Sequence, residues 1–340
     1  MKRVFGDSAL ALLIAVLALS GWNCSQKAAN EVVVYTSVDQ VFSEPIFKDF
    51  EKATGIKVKP VFDTEETKST GVLNRLIAEK DNPQCDVFWS GDPVRTLVLK
   101  SKGITASYLS SHAAGIPAGF KDEDGHWIGF SARARVLLYN TNLIKPEEAP
   151  KSIHEFINPK WKGQCAMANP LFGTTSFHTA ALFSALGDSA AKEFFAKLKA
   201  NGVIIATSNG DVRKRVADGQ VAFGLTDTDD ANEAIKDSKP VKMVFLDQDG
   251  FGTLVVPNTV SPIKNSPNPE NGKKLIDYLL TREVEAKLAQ SCAQMPLLPS
   301  PIEVPGQLSL EKIVPMKIDY EQAAQNLEGI QPFLKVWVSH

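Results

Sequence analysis

An α/β fold class follows from three features of the chain. Strand-like runs alternate with amphipathic helices along most of its length. Residues 31–59, EVVVYTSVDQVFSEPIFKDFEKATGIKVK, read strand, turn, helix, strand, the βαβ unit that opens a doubly wound sheet. Small polar residues recur where strands end, the edge at which such sheets bind ligands.

The first strand is carried by Val32, Val33, Val34 and Tyr35 and stops at Thr36-Ser37. A helix follows with Ser43 as its expected N-cap and Pro45 in its first turn. Ile46, Phe47, Phe50 and Ala53 share its apolar face, and Gly55 closes it. Val72, Leu73, Leu76 and Ile77 mark the next helix, which Asn82-Pro83 ends. Residues 85–89 form a strand, and Ser90-Gly91-Asp92-Pro93 turns into a further helix. Residues 127–140, WIGFSARARVLLYN, make a long strand. A polar, helix-like stretch then leads to Pro159-Lys160-Trp161. A second series follows: strand 163–168, loop 170–176, a helix over 179–186 and another over 190–200 on Phe194, Phe195 and Leu198. Strand 202–207, short helix 212–218 and strand 221–225 continue it. Residues 251–257 read as a return strand, and 272–291 as one helix with Leu275, Leu279 and Leu288 inward. A Pro-rich stretch after Pro301 precedes a last helix to about Leu327.

Ahead of these elements, Lys2-Arg3 and the apolar run 9–19 match a secretory signal, residues 1–24, and the run is too short for a membrane span. Ala18-Leu19-Ser20 offers a cleavage site. Cys24 is the candidate for lipidation, although Gly21-Trp22-Asn23 is a poor lipobox; cleavage near Ser20 would leave it an ordinary residue. An exported protein, in the periplasm or lipid-anchored on the outer face of the cytoplasmic membrane, is expected. A net charge of −2 gives no reason to expect nucleic acid or an anionic membrane as partner. Cys24, Cys85, Cys165 and Cys292 have no zinc-type spacing; the last three read as buried thiols, with a disulfide among them left open. No cofactor is expected.

Phe172-Gly173-Thr174-Thr175-Ser176 sits between a strand and an apolar helix. Free N–H groups at a helix start, with hydroxyls beside them, suit a phosphate, phosphonate or carboxylate, although such a string also serves as a plain cap. His178 reads as part of the following helical turn. Asp227-Thr228-Asp229-Asp230 follows another strand and gathers three carboxylates, suited to a metal, an amine or sugar hydroxyls, or else to a solvated helix start. Arg133 and Arg135 face one side of their strand and can grip an anion or tie the strand to a buried aspartate such as Asp86 or Asp247. Asn209 stands at a further strand end, and Trp89 reads as core.

The order "strand, Tyr35-Thr36-Ser37, helix, Ala53-Thr54-Gly55-Ile56-Lys57-Val58" resembles the start of mature periplasmic solute-binding proteins of the ferric-binding, phosphonate- and thiamine-binding class, with the type II periplasmic binding fold. The 127–140 pattern is similar to their segment crossing between lobes. The resemblance implies two doubly wound α/β lobes joined by hinge strands: residues 31–132 with 250–305, and 133–249, followed by a helical tail over 306–340. It implies a monomeric solute-binding component that delivers to an ABC permease and is not an enzyme. The ligand-binding set is Thr36, Ser37, Asp39, Asp92, Arg133, Gly173, Thr174, Thr175, Asn209, Asp227, Asp229 and Asp230, with the 173–176 loop and Asn209 on the anion.

In the ferric-binding members of that class two adjacent tyrosines ligate iron, and their positions match Asp229 and Asp230 here. The usual histidine corresponds to Asp39 and the usual glutamate to Gly91, beside Asp92. The phenolate site is therefore absent, which favours a small phosphate- or phosphonate-bearing solute with amino or hydroxyl groups. The alternative is iron on carboxylates, Asp39, Asp229 and Asp230 with Asp92. An exported phosphohydrolase is the alternative of another class, against which stands the lack of GxSxG, HExxH and P-loop patterns.

Overall fold

The protein is described by a computed structural model covering residues 30–63, 70–298 and 309–339. The signal segment, Cys24 and part of the expected tail lie outside the described residues.

Among the described residues nine strands form one continuous, mixed sheet. Strand β1 (Glu31–Thr36) pairs in parallel with β2 (Lys57–Phe62) and β3 (Val87–Ser90), the doubly wound start that the sequence predicts. β4 (Ile128–Asn140) is the spine. It runs antiparallel to β9 (Val255–Pro262) through Ala134, then to β7 (Phe223–Asp227) and β8 (Val241–Phe245) from Arg135 and Val136 onward. β5 (Cys165–Ala168) and β6 (Ile204–Ala206) complete the far side. β4 is buried almost throughout, so one strand belongs to two packed halves.

Helix α1 (Gln40–Thr54) begins four residues earlier than Ser43 as N-cap would have it start, with Asp39 at the N-cap position. Ser43 is instead buried inside the helix, where its hydroxyl donates to the carbonyl of Asp39 at 3.0 Å. Pro45 is exposed, so its missing N–H falls on the solvent side. Ile46, Phe47 and Phe50 are buried as expected, but Ala53 is exposed; Gly55 ends the helix at φ 71°. α2 (Thr70–Ala78) buries Val72 and Leu76. α3 (Pro93–Ser101) is capped by Asp92, whose carboxylate accepts from Arg95 N–H at 3.2 Å.

α4 (Gly173–Leu186) absorbs the end of the expected 170–176 loop, so Gly173–Ser176 is its first turn. α5 (Asp188–Ala200), α6 (Asn209–Ala217) and α7 (Thr228–Lys236) follow, and β8 is a strand that the sequence reading missed. Residues 272–291 are two helices, α8 (Pro269–Leu279) and α9 (Arg282–Cys292), because Thr281 caps the second through Val284 N–H. The final helix, α10 (Tyr320–Ser339), runs well beyond Leu327. It buries Leu327, Ile330, Leu334 and Trp337 in the same core as Phe177, Phe195 and Leu97, so it is part of the body rather than an appended tail. Cys85, Cys165 and Cys292 are free, buried thiols, and no disulfide joins them. Trp89 packs edge-on against Phe47 and beside Phe130, in the core.

Candidate functional site

A cavity of about 290 Å³ opens where β1, β5 and β7 end and where α4, α6 and α7 begin. The parallel strands deliver their carboxyl ends to one edge, and the helices that follow present their first turns there.

Behind the lining residues Thr174, Thr175, Asn209 and Asp227 lies Arg135, completely buried. One guanidinium nitrogen donates to Asp227 Oδ1 at 2.6 Å, to Thr174 Oγ1 at 3.1 Å and to Asn209 Oδ1 at 3.1 Å. The other donates to Thr175 Oγ1 at 3.1 Å. Thr174 in turn donates to Asp227 Oδ2 at 2.6 Å, and Asn209 Nδ2 donates to the same oxygen at 3.0 Å. This network bolts the starts of α4 and α6 to the middle of β4 and the end of β7. Burial pushes the Asp227 carboxyl up, but Arg135, Arg133 and the Thr174 hydroxyl outweigh it, so its pKa lies below the usual carboxylate range.

Arg133 lies two residues along the same strand and faces the cavity. Its Nε is 3.4 Å from Asp227 Oδ2, its Nη1 is 3.9 Å from Asp229 Oδ2, and its Nη2 donates to the Gly91 carbonyl at 2.8 Å. A Cβ on Gly91 would stand 3.0 Å from Nη2, so that position holds no side chain because the guanidinium occupies the space. Asp229 shifts the opposite way from Asp227. Burial raises its pKa and Arg133 lowers it, with Asp227 and Asp39 adding repulsion; the net shift is upward. Asp227, Asp229 and Asp230 bring carboxylate oxygens within 4.8 Å of one another.

Ser37, Asp39, Arg133, Gly173, Thr174, Thr175, Asn209, Asp227, Asp229 and Asp230 of the expected set all line the cavity. Two do not. Thr36 is completely buried at the end of β1 and accepts from Val38 N–H at 3.0 Å, shaping the turn. Asp92 is buried at the start of α3, where it caps the helix and lies 3.3 Å from the Arg95 guanidinium, so it is neither a solute contact nor a carboxylate for a metal. Arg135 ties to Asp227, not to Asp86 or Asp247. Those two accept backbone N–H groups elsewhere, Asp86 from Val33 and Asn268, and Asp247 from Ile153. His178 is buried in the core, its pKa pushed down to about 3 by burial and by Arg135.

The sequence reading missed Phe42, Ser208, Arg213, Glu233 and Gln294, which line the cavity along with Phe172 of the expected anion-binding stretch. Ser208 carried a signal, since it caps α6 through Asp211 N–H. Gln294 carried none, because it follows a helix that the reading assigned to the body. No tyrosine lines the cavity among the described residues.

Residues 46–306 match the family model of the bacterial extracellular solute-binding proteins. The chain belongs to that family. Its architecture is thus that of a solute-binding component of ABC importers, and its relatives are transport proteins rather than enzymes. The "Iron uptake protein A1" of Synechocystis is 29% identical over 281 residues, 79% of this chain and 76% of that protein. The "Putative 2-aminoethylphosphonate-binding periplasmic protein" of Salmonella typhimurium is 27% identical over 338 residues, 96% of this chain and 92% of that protein. Among solved structures, iron-bound HitA from Pseudomonas aeruginosa superposes with a TM-score of 0.81 at 22% identity, over 89% of this chain and 99% of that one. That likeness establishes the α/β two-lobed fold.

Proposed function

We propose that this binding protein captures a small zwitterion, a phosphonate or phosphate that also carries an ammonium group. The observation that carries the reading is the polarity of the cavity. Its lining combines two kinds of group, the first turns of α4 (Gly173–Thr175) and α6 (Asn209-Gly210) and the carboxylates of Asp39, Asp229, Asp230 and Glu233. Helix starts offer N–H groups and positive potential to an anion; the carboxylates offer acceptors to an ammonium. The small volume suits a solute of few heavy atoms. The relative bearing a 2-aminoethylphosphonate name supports the same chemistry.

Iron is the second reading, favoured by the clustered carboxylates of Asp227, Asp229 and Asp230. Against it, Arg133 and Arg135 already bring positive charge to that cluster, and a cation entering it would face both guanidiniums.

Calorimetry on protein purified without refolding tests the choice. 2-Aminoethylphosphonate should bind, and methylphosphonate, which lacks the amine, should bind at least about tenfold more weakly through the loss of a charged hydrogen bond. Ferric citrate should give no visible tyrosinate-to-iron absorption. Equal affinity for the two phosphonates, or a coloured stoichiometric iron complex, overturns the reading.

We further infer lobes of residues 31–132 with 250–305, and 133–249, supported by the change of β4 partners from β9 to β7 and β8 near Ala134 and Arg135. The protein would act as an exported monomer serving a permease, anchored through Cys24. Mass spectrometry of the mature N-terminus decides between acylation of Cys24 and cleavage near Ser20.

A further inference from the structure

Ser131 interrupts β4 just before the strand changes partners. Its backbone is left-handed, at φ 46°, and the register against β9 shifts between Phe130 and Ala132. A non-glycine residue keeps that conformation only where its surroundings over-determine it. Here they do. The Ser131 N–H donates to Glu285 Oε1 at 2.8 Å, and its carbonyl accepts from Asn258 Nδ2 at 2.5 Å. Glu285 is buried on α9 and also accepts from Leu297 N–H at 2.9 Å and Leu298 N–H at 2.8 Å. Asn258, on β9, also donates to Gln294 Oε1 at 2.8 Å. Gln294 reaches the cavity wall, and its Nε2 makes no hydrogen bond among the described residues.

We propose that Ser131 is the hinge point of solute capture and that Gln294 is the positioning residue through which an occupied cavity acts on it. The proposal rests on the reading that the cavity holds a solute. One end of the Gln294 amide holds Asn258, which holds the Ser131 carbonyl; the other end is a donor, unbonded among the described residues, on a side chain that lines the cavity. A solute acceptor on Nε2 therefore fixes the amide, and with it Asn258, the partner of the Ser131 carbonyl. Rotation at Ser131 swings Arg133, two residues on, relative to Asp39 across the cavity. Coupling of this kind needs contacts that differ between open and closed states, and the Nε2 contact supplies one.

Hydrogen exchange on the empty protein tests the chain of contacts independently of solute identity. Gln294→Leu removes the acceptor that holds Asn258, and Gln294→Glu keeps it. The Leu variant should speed exchange over residues 128–134 by about tenfold, the worth of one hydrogen bond, with strands β3 and β7 unchanged. The Glu variant should keep wild-type protection there. Adding 2-aminoethylphosphonate should raise protection over 128–134 in the wild type and not in the Glu variant. Unchanged exchange in the Leu variant, a loss spread evenly over all strands, or lost protection in the empty Glu variant overturns the proposal. Absence of any phosphonate effect on the wild type, with the empty-protein pattern as expected, fails the solute reading and leaves the Asn258–Ser131 contact standing.

Discussion

At the scale of single residues the site is a charge balance built around one guanidinium. Arg135 is out of contact with solvent, and among the described residues Asp227 is its only anionic partner at hydrogen-bonding distance. Asp227→Ala should therefore cost about 3–5 kcal/mol, because an uncompensated charge stays buried. Urea denaturation at neutral pH measures it, and a loss below about 1 kcal/mol would remove the network from the fold's support. The pH dependence follows from the depressed pKa of Asp227. Its contribution is complete above the ordinary carboxylate value, about 3.9, and is lost as pH falls through the lower folded value. The gap between wild type and variant should thus narrow only in strong acid. Thr175 belongs to the same network, which changes what its removal does. Thr175→Val leaves one Arg135 nitrogen without its acceptor and should lower stability by about 1–3 kcal/mol as well as weakening solute binding. A variant of unaltered denaturation midpoint with weakened binding would make that hydroxyl a pure solute contact. The sequence made both arginines visible as a pair on one face. It did not say which aspartate they meet, since the partners lie 92 residues apart on strands whose pairing no local pattern encodes.

At the scale of elements, what was legible is what local chemistry dictates. The β1–α1–β2 unit and the capped start of α3 follow from apolar spacing, Gly55 and Asp92. What was not legible depends on partners distant in the chain. Met243 and Phe245 on β8 are only partly buried, so the strand exists through its pairing with β4 rather than through a strong apolar run. Ser43 looks like a cap in sequence, yet the helix extends past it because Phe42 and Ile46 reach the core. The placement of α6 depends on Gly224 of β7. A Cβ there would lie 2.4 Å from Val212 Cγ1 and 3.1 Å from the Ala166 carbonyl, so helix and strand approach as closely as they do only because this residue has no side chain. Gly224→Ala should push α6 outward and cost about 1–3 kcal/mol by overpacking. Because Asn209 begins that helix, solute affinity should fall with it. Thermal unfolding and calorimetry on one preparation check both; full affinity in a destabilised variant would separate the helix position from the site.

At the scale of the molecule, the two halves of the sheet meet in one strand, and the cavity takes residues from both. Asp39 follows β1, in the half built from β1, β2, β3 and β9, whereas Thr175 and Asp230 stand at the starts of α4 and α7 in the other. The two-lobed plan was legible only through resemblance, because periodicity shows alternation of strand and helix but not where a spine strand changes partners. A solute touching both halves favours the closed arrangement only through contacts that the open one lacks, so closure follows differential affinity and not affinity itself. Asp39→Asn should weaken 2-aminoethylphosphonate binding by about ten- to a hundredfold, the worth of a charge-assisted hydrogen bond. It should also reduce solute-induced compaction, although the helix starts that hold the anion are intact. Small-angle scattering with and without solute reads this directly. Wild-type protein that binds tightly yet keeps its radius of gyration would show that the halves are already closed when empty. In that case Asp39→Asn would change affinity alone.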